Sequence, residues 1–300
     1  MMKKIPYYFI LFFLTLSCED VIEVNLPSTE SKLVVDALFR VDVAEEYVPV
    51  EVKTTVTTSF FEQSEPTQLS SAIIFYGIPL EDDPSLFEEV FSSSLAESEP
   101  GSGIYIPDPN FDGDQRISTS ILEPGMVFQL IIEHEGKRYF ATTTYVTVPP
   151  IDNIEQGTNT LFDEEDIEIL VTFTDVPDIE NYYIFDFDFN EFLALDDQFI
   201  DGQQFEFSYF YDKSLEPGDE VEISILGADQ PFFNYMDLLL EQTEDTGGVF
   251  ETPAATVRGN VFDITGLDNI NIFDNVERPE SFALGYFAVV QEFKQSITIE

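Results

Sequence analysis

Two residue types occur once each in this 300-residue chain, and they are the ones whose chemistry is easiest to judge: Cys18 and His134. Cys18 follows a basic start, Met1-Met2-Lys3-Lys4, and an apolar run from Ile5 to Leu16 broken only by Pro6 and Thr15. A secretory signal that ends on a cysteine has the form of a bacterial lipoprotein signal, in which the thiol is diacylated and becomes the mature N-terminus. The run is too short for a membrane-spanning helix, which needs roughly 20 apolar residues. Residues 1–17 therefore read as a signal peptide and Cys18 as the lipidation site. Once Cys18 is acylated, no thiol remains for catalysis, a disulfide or zinc.

His134 lies in Ile131-Ile132-Glu133-His134-Glu135-Gly136-Lys137, which alternates and then turns at Glu135-Gly136. That places it as an exposed hairpin residue. A Ser-His-Asp triad would need a serine and an acid to converge on it, and the chain contains no G-x-S-x-G elbow. Asp108-Pro109-Asn110-Phe111-Asp112-Gly113-Asp114 matches the opening of a calcium loop, with alternating oxygens and a glycine for the sharp turn. The twelfth position, where an EF-hand has a bidentate Glu, is Thr119, and Pro107 and Pro109 oppose an incoming helix. Calcium loop and plain solvated Asp/Asn/Gly turn both remain open at this point. A paired-carboxylate glycosidase also stays open, because 59 Asp and Glu offer many pairs and mark none out. No catalytic residue, metal ligand or cofactor is assigned.

These 59 acids face only 12 Lys and Arg, a formal net charge of −47. Removing residues 1–17 takes two lysines and no acid, so the mature chain is more acidic still. Such a charge repels nucleic acid and anionic lipid alike, and no nucleic-acid partner is expected. Acidity often accompanies disorder, but here 44% of residues are hydrophobic, with 30 Phe and 13 Tyr. The composition is that of a folded chain with an acidic surface. That surface reads either as a solvated face suited to salty water or as a match to cations or a basic partner.

The elements that must position any site are mostly strands. Polar residues 18–30 read as a lipidated tether. Residues 31–150 then carry strand patterns at Lys32–Phe39, Tyr47–Val56, Ser71–Tyr76, Met126–Glu133 and Arg138–Val148, with a loop from Ile78 to Gln115. Short strands between turn signals point to an Ig-like β-sandwich. Pro149-Pro150 reads as a domain boundary, because proline cannot donate to a ladder. Residues 151–300 form a second, β-rich, sandwich- or barrel-like domain, opening on a polar linker or first meander at Ile151–Asp163. In Tyr182–Asn190, Phe185, Phe187 and Phe189 fall on one face and Asp186, Asp188 and Asn190 on the other. One short helix near 230–242 is expected from Asp229 as N-cap, Pro231 in the first turn, and Phe232, Tyr235, Met236, Leu239 and Leu240 at helical spacing. Gly247-Gly248 would end it, and a long loop follows at Asp263–Glu280.

Several stretches carry a resemblance. They are Cys18-Glu19-Asp20, Lys32-Leu33-Val34-Val35-Asp36-Ala37, Glu123-Pro124-Gly125-Met126-Val127-Phe128-Gln129-Leu130, and Asp197-Gln198-Phe199-Ile200-Asp201-Gly202-Gln203-Gln204-Phe205. Two more, Val257-Arg258-Gly259-Asn260-Val261 and Ala283-Leu284-Gly285-Tyr286-Phe287, are the most specific. Together they resemble the Bacteroidota lipoprotein family called domain of unknown function 4249. The resemblance implies an extracytoplasmic lipoprotein, an N-terminal Ig-like sandwich, a C-terminal β-rich domain and no catalytic residue. It also implies an accessory role beside a TonB-dependent outer-membrane receptor. Physically, Arg258-Gly259-Asn260 and Gly285-Tyr286-Phe287 read as tight packing positions.

The expectation is therefore a non-catalytic outer-membrane lipoprotein, held in the bilayer through acylated Cys18, surface exposure being open. It would assist a TonB-dependent transporter in ligand capture or uptake, with the contact in the C-terminal domain, where the helix Phe232 to Glu241 and the long Asp263–Glu280 loop interrupt the β pattern, so that deleting Asp268 to Asn275 would weaken it. The competing readings are a secreted carboxylate-dependent glycan hydrolase and a surface adhesin or structural lipoprotein.

Overall fold

Strand β1 (Leu33–Val41) shows why the chain becomes a sheet protein. Its sequence, LVVDALFRV, buries every second residue, so Leu33, Val35, Ala37, Phe39 and Val41 enter the core while Asp36 and Arg40 face the other way. The computed structural model describes residues 31–58, 65–82, 86–161, 166–211, 215–243, 257–267 and 282–300. It is mainly β with one short helix, and among the described residues no sheet closes into a barrel.

The N-terminal half continues with β2 (Val52–Val56), β3 (Glu65–Pro66), β4 (Ser71–Gly77), β5 (Phe91–Glu97), β6 (Ile104–Pro107), β7 (Val127–His134) and β8 (Lys137–Thr144). Then come β9 (Ile151–Gln156), β10 (Ile167–Thr174), β11 (Tyr182–Asp186), β12 (Phe192–Asp196), β13 (Gln204–Tyr211), β14 (Glu220–Ala228), helix α1 (Gln230–Thr243), β15 (Val261–Asp263) and β16 (Leu284–Thr298). Thirteen strands form one sheet path, β12-β11-β14-β16-β1-β2-β6-β5-β4-β7-β8-β15, with β3 alongside β2. A separate three-stranded sheet runs β13-β10-β9.

Three apolar clusters fill this frame. The first gathers β1, β2, β4, β7 and β8 around Phe39, Ile74, Phe128 and Leu130. The second lies between the small sheet and β11 and β14, with Val171, Phe173, Tyr183, Phe185 and Ile223. Its aromatic rings interlock, with Phe187 and Tyr209 stacked at 3.7 Å between centroids. The third is the contact of α1 with the outer face of the large sheet, through Phe232, Met236, Ile184, Leu226 and Tyr286. The chain passes from the first cluster to the second between Tyr145 and Val148, next to Pro149-Pro150.

Strand β16 belongs to all three. Residues 284–291 pair in parallel with β1, and residues 292–298 pair antiparallel with β14. Phe287 and Val289 point into the first cluster, Tyr286, Ala288 and Val290 into the third, and Phe293 and Ile297 pack against the second. Residues Ser31–Glu300 thus form one compact unit joined by a single long strand.

The two most specific sequence stretches meet where β16 is set in place. A Cβ at Gly259 would stand 1.5 Å from the carbonyl oxygen of Gly285, and a Cβ at Gly285 would stand 1.9 Å from that of Val35. Gly285 also has φ +85°, a region that other residues rarely adopt. Asn260 then pairs with the Phe287 backbone as another strand would. Its Nδ2 donates to the oxygens of Phe287 (2.7 Å) and Thr142 (2.9 Å), and the Phe287 N–H donates to its Oδ1 (2.9 Å). Tight packing is what these residues do here.

Three local expectations are corrected. His134 is buried, because the β7 alternation of Phe128, Leu130 and Ile132 runs one step further than the turn suggests. Its Nε2 lies 2.8 Å from the Thr67 hydroxyl, and the hairpin turns only at Glu135 (φ 49°) and Gly136 (φ 76°). The supposed loop Ile78–Gln115 contains β5 and β6; serines hide the pattern, yet Ser93 is buried and its hydroxyl donates to the Gln115 oxygen at 2.6 Å. The Tyr182–Asn190 strand stops at Asp186. Asp188, Phe189 and Asn190 all have positive φ, turning the chain into β12 and leaving Phe189 exposed.

Asn260→Ala should remove three hydrogen bonds and strand the Phe287 N–H. Unpaired buried groups cost about 1–3 kcal/mol each, so urea unfolding of the variant should show a loss of roughly 3 kcal/mol. A loss under about 0.5 kcal/mol, the range of neutral surface changes, would show that Asn260 does not hold β16.

Candidate functional site

Two clefts among the described residues are lined by carboxylates, and each is organised by a different device. The first, about 690 Å³, lies over β1, β11, β14 and β16 and includes Arg40, Asp186, Ser224, Glu292, Glu222 and Lys294. The pairing registers Asp186↔Ser224, Ser224↔Lys294 and Arg40↔Val290 bring these residues together from four strands. Arg40 is the hub. Its Nε donates to Glu292 Oε1 (2.9 Å), Nη1 to Asp186 Oδ2 (2.5 Å), and Nη2 to Ser224 Oγ (2.9 Å) and to Glu292 Oε1. The guanidinium's wide planar fork of five N–H donors reaches all three partners at once, which the compact ammonium of a lysine does not. Burial, the largest single influence, works against its charge, but the hydrogen bonds and charges of Glu292 and Asp186 together hold its pKa above the ordinary value. Glu292 is 2% exposed, and Arg40, with the Lys294 ammonium farther off at 3.7 Å, supplies the counter-charge that lets a carboxylate sit there. Asp186 has both oxygens engaged, the second accepting from the Asp188 N–H at 3.0 Å.

The second cleft, about 570 Å³, lies beside loops 175–181 and 197–203 and the start of α1. Here Asp175, Asp197 and Asp201 each bring one carboxylate oxygen within 4.8 Å of the others; Asp175 and Asp197 are buried and Asp201 is exposed. Among the described residues these are the three that could hold a metal ion, and oxygen-only ligands suit a hard cation such as calcium or magnesium. Protein donors already meet them. Tyr183 Oη donates to Asp175 Oδ1, the Gly202 N–H to Asp175 Oδ2 (2.7 Å), the Asn181 N–H to Asp197 Oδ2 (2.8 Å), and the Asp178 N–H to Asp201 Oδ1 (2.9 Å). Burial, with the charges of Asp175, Asp201 and Glu180, pushes the Asp197 carboxyl up against the pull of the Asn181 N–H. Tyr183 is raised too, by burial first and then by its bond to Asp175. The cluster ties two loops together through these carboxylates, and among the described residues no Lys or Arg forms an ion pair with them.

Of the residues singled out by sequence, Cys18, Gly247-Gly248 and the 268–275 segment lie outside the described residues. The Asp108–Asp114 stretch forms a turn in which Asp108 Oδ1 accepts from the Asn110 N–H (2.8 Å). Arg116 covers Asp114, with Nε to Oδ1 at 2.9 Å and Nη2 to Oδ2 at 2.7 Å, and holds its pKa down to about 2. Both Asp114 oxygens are thus spoken for by a cation from the protein itself. Helix α1 starts as its cap suggests, the Phe232 N–H donating to Asp229 Oδ1 at 2.8 Å. Phe232 and Met236 are buried, Tyr235 lies 4.7 Å from the Tyr286 ring, and Leu238 and Leu239 are exposed. Sequence reasoning missed both clefts. The available signals were the lone Arg40 on an apolar strand, the acidic Glu292 after a buried run, and the Asp197–Gly202 stretch.

A family model described as Domain of unknown function (DUF4249) matches residues 19–296. No match is found among curated proteins.

Two outcomes follow from the clefts. Arg40→Met should leave buried Glu292 with only the Lys294 ammonium, 3.7 Å away, as counter-charge and destabilise the fold by about 3 kcal/mol, with Arg40→Lys recovering only part because one ammonium cannot span Glu292, Asp186 and Ser224; a variant as stable as wild type in urea would remove Arg40 from this role. Asp197 has the opposite sign. A carboxyl raised in the folded state binds protons that the unfolded state has released, so stability falls as pH climbs from the unfolded carboxylate value through the folded one. Asp197→Asn keeps the acceptor for the Asn181 N–H. It should melt higher than wild type at pH 7 in chelator, with the gap closing toward pH 3; a variant that melts lower at pH 7 contradicts this.

Proposed function

The chain belongs to the DUF4249 family, and from that premise we propose that it is an outer-membrane lipoprotein that serves a TonB-dependent transporter in ligand capture or uptake and turns over no substrate itself. The observation that carries the reading is the signal geometry, a basic start and apolar run that close on Cys18. Diacylation with N-acylation supplies the several chains that stable anchoring requires. Residues 18–30 then act as the tether of a body whose first strand begins at Leu33. Fully extended, such a tether reaches on the order of 40 Å, enough for the body to meet a neighbouring membrane protein.

The best-held acids at the two clefts support binding over turnover. Asp186, in the first, and Asp175, beside the second, have both carboxylate oxygens committed to donors of the protein, and Glu292 is bonded to Arg40. A general acid and a nucleophile for glycoside hydrolysis must keep their oxygens free for substrate.

Cys18→Ala should release the protein from membranes or leave it unprocessed, and intact protein should bring down an outer-membrane β-barrel after mild crosslinking. The reading fails if the variant is cleaved and still fractionates with membranes, or if the purified protein hydrolyses a glycan with saturable kinetics.

A further inference from the structure

We propose that the loops 175–181 and 197–203 form the surface by which this protein docks a partner protein, one that offers an apolar socket bordered by Lys or Arg. The proposal rests on the accessory reading above and adds where the contact is made. Phe199 is 83% exposed, the most of any large apolar side chain among the described residues, and Ile179 on the neighbouring loop is 57% exposed. Fully burying a Phe side chain is worth about 1.5–3 kcal/mol, so a ring held in water is a standing gain for whatever covers it.

The ring is presented on fixed backbone. Ile200, the next residue, is buried in the second cluster, and its N–H donates to the Asp197 oxygen at 2.9 Å. The Gln203 N–H donates to the Ile200 oxygen at 2.8 Å, and the Gln203 oxygen accepts from the Asp175 N–H at 3.0 Å. Asp178 and Asn181 donate across to Asp201 and Asp197, and a Cβ at Gly202 would meet the Pro177 Cβ at 2.7 Å. Both apolar residues therefore sit on one braced tip. Little ordering entropy remains to be lost when it binds, the property that distinguishes interface anchors from incidental exposed residues.

Charge identifies the occupant. The cleft adjoining the tip is lined by Asp178, Glu180, Asp196, Asp197 and Asp201, and no Lys, Arg or His is among its described lining residues. An anionic lipid surface would be repelled, and so would a second copy of a chain with net charge −47. A protein surface with an apolar hollow and a basic rim matches both features, the cations entering the cleft while Phe199 and Ile179 fill the hollow.

The test uses the full-length lipoprotein in its own cells, with a photo-crosslinking residue at position 199 and, in a second protein, at Phe111, which is also exposed but lies on the distant Asp108–Asp114 turn in sequence. Position 199 should crosslink to one outer-membrane protein, through a partner peptide that contains Lys or Arg. Glu180→Lys with Asp196→Lys, both exposed positions, should cut that yield about tenfold without lowering the melting temperature. Ile179→Ser should do the same. Crosslinks to lipid or to a second copy overturn the proposal, as does a yield that the charge reversal leaves intact. If position 111 captures a transporter and position 199 captures nothing, the docking surface is wrong and the accessory reading stands. If neither position captures a protein and the intact chain brings down no β-barrel, both fall.

Discussion

Everything in this molecule depends on one strand changing partners. β16 leaves the parallel ladder with β1 after Gln291 and enters the antiparallel ladder with β14 at Glu292. A change of partner in mid-strand exposes polar backbone and invites water, and the structure closes it with side chains. Gln291 accepts the Val148 N–H at 3.0 Å, its own N–H donates to Val146 at 2.9 Å, and Arg40 reaches from β1 to Glu292 and Asp186. The Arg40 cluster therefore spans the line along which the two halves join. Its hydrogen bonds link β1, β11, β14 and β16 side chain to side chain across that line.

The acidic composition is handled by the same rule. Buried carboxylates are few, and each has its own donors. Glu168 takes Asn159 and Ser208, Asp175 takes Tyr183 and Gly202, Asp197 takes Asn181, and Glu292 takes Arg40. Gly157 is glycine for this reason as well, since a Cβ there would stand 2.0 Å from Glu168 Oε2. Asp263 takes the Thr265 N–H, and most of the other described acids lie at the surface, where water and salt screen them.

Period-two alternation made β1, β4 and β7 legible, and the Asp229 cap with helical spacing made α1 legible, because these signals are local. What local pattern could not supply was phase and partner. His134 looks like a turn residue until the count from Phe128 is carried through, and β5 is disguised by serines, of which Ser93 has its hydroxyl satisfied by Gln115, more than twenty residues away. Phe189 continues a perfect alternation, yet the backbone leaves the strand before reaching it. Neither cleft could be read, since Arg40 and Glu292 are separated by 252 positions and nothing local links them. The glycines and Asn260 were legible as packing residues but not as partners of one another.

The parallel pairing of β1 with β16 also sets an order of events. As the chain is made, β1 appears first and its long-range neighbour last, so the first cluster stays open on one side until residues 284–291 arrive. Closing so large a loop delays the reward of contact until late, which is the hallmark of high contact order and slow assembly. Until then β1 is a bare apolar edge, liable to pair with the wrong strand. The acidity of the chain gives protection in that interval, because unfinished molecules carrying so many like charges repel one another before they can aggregate.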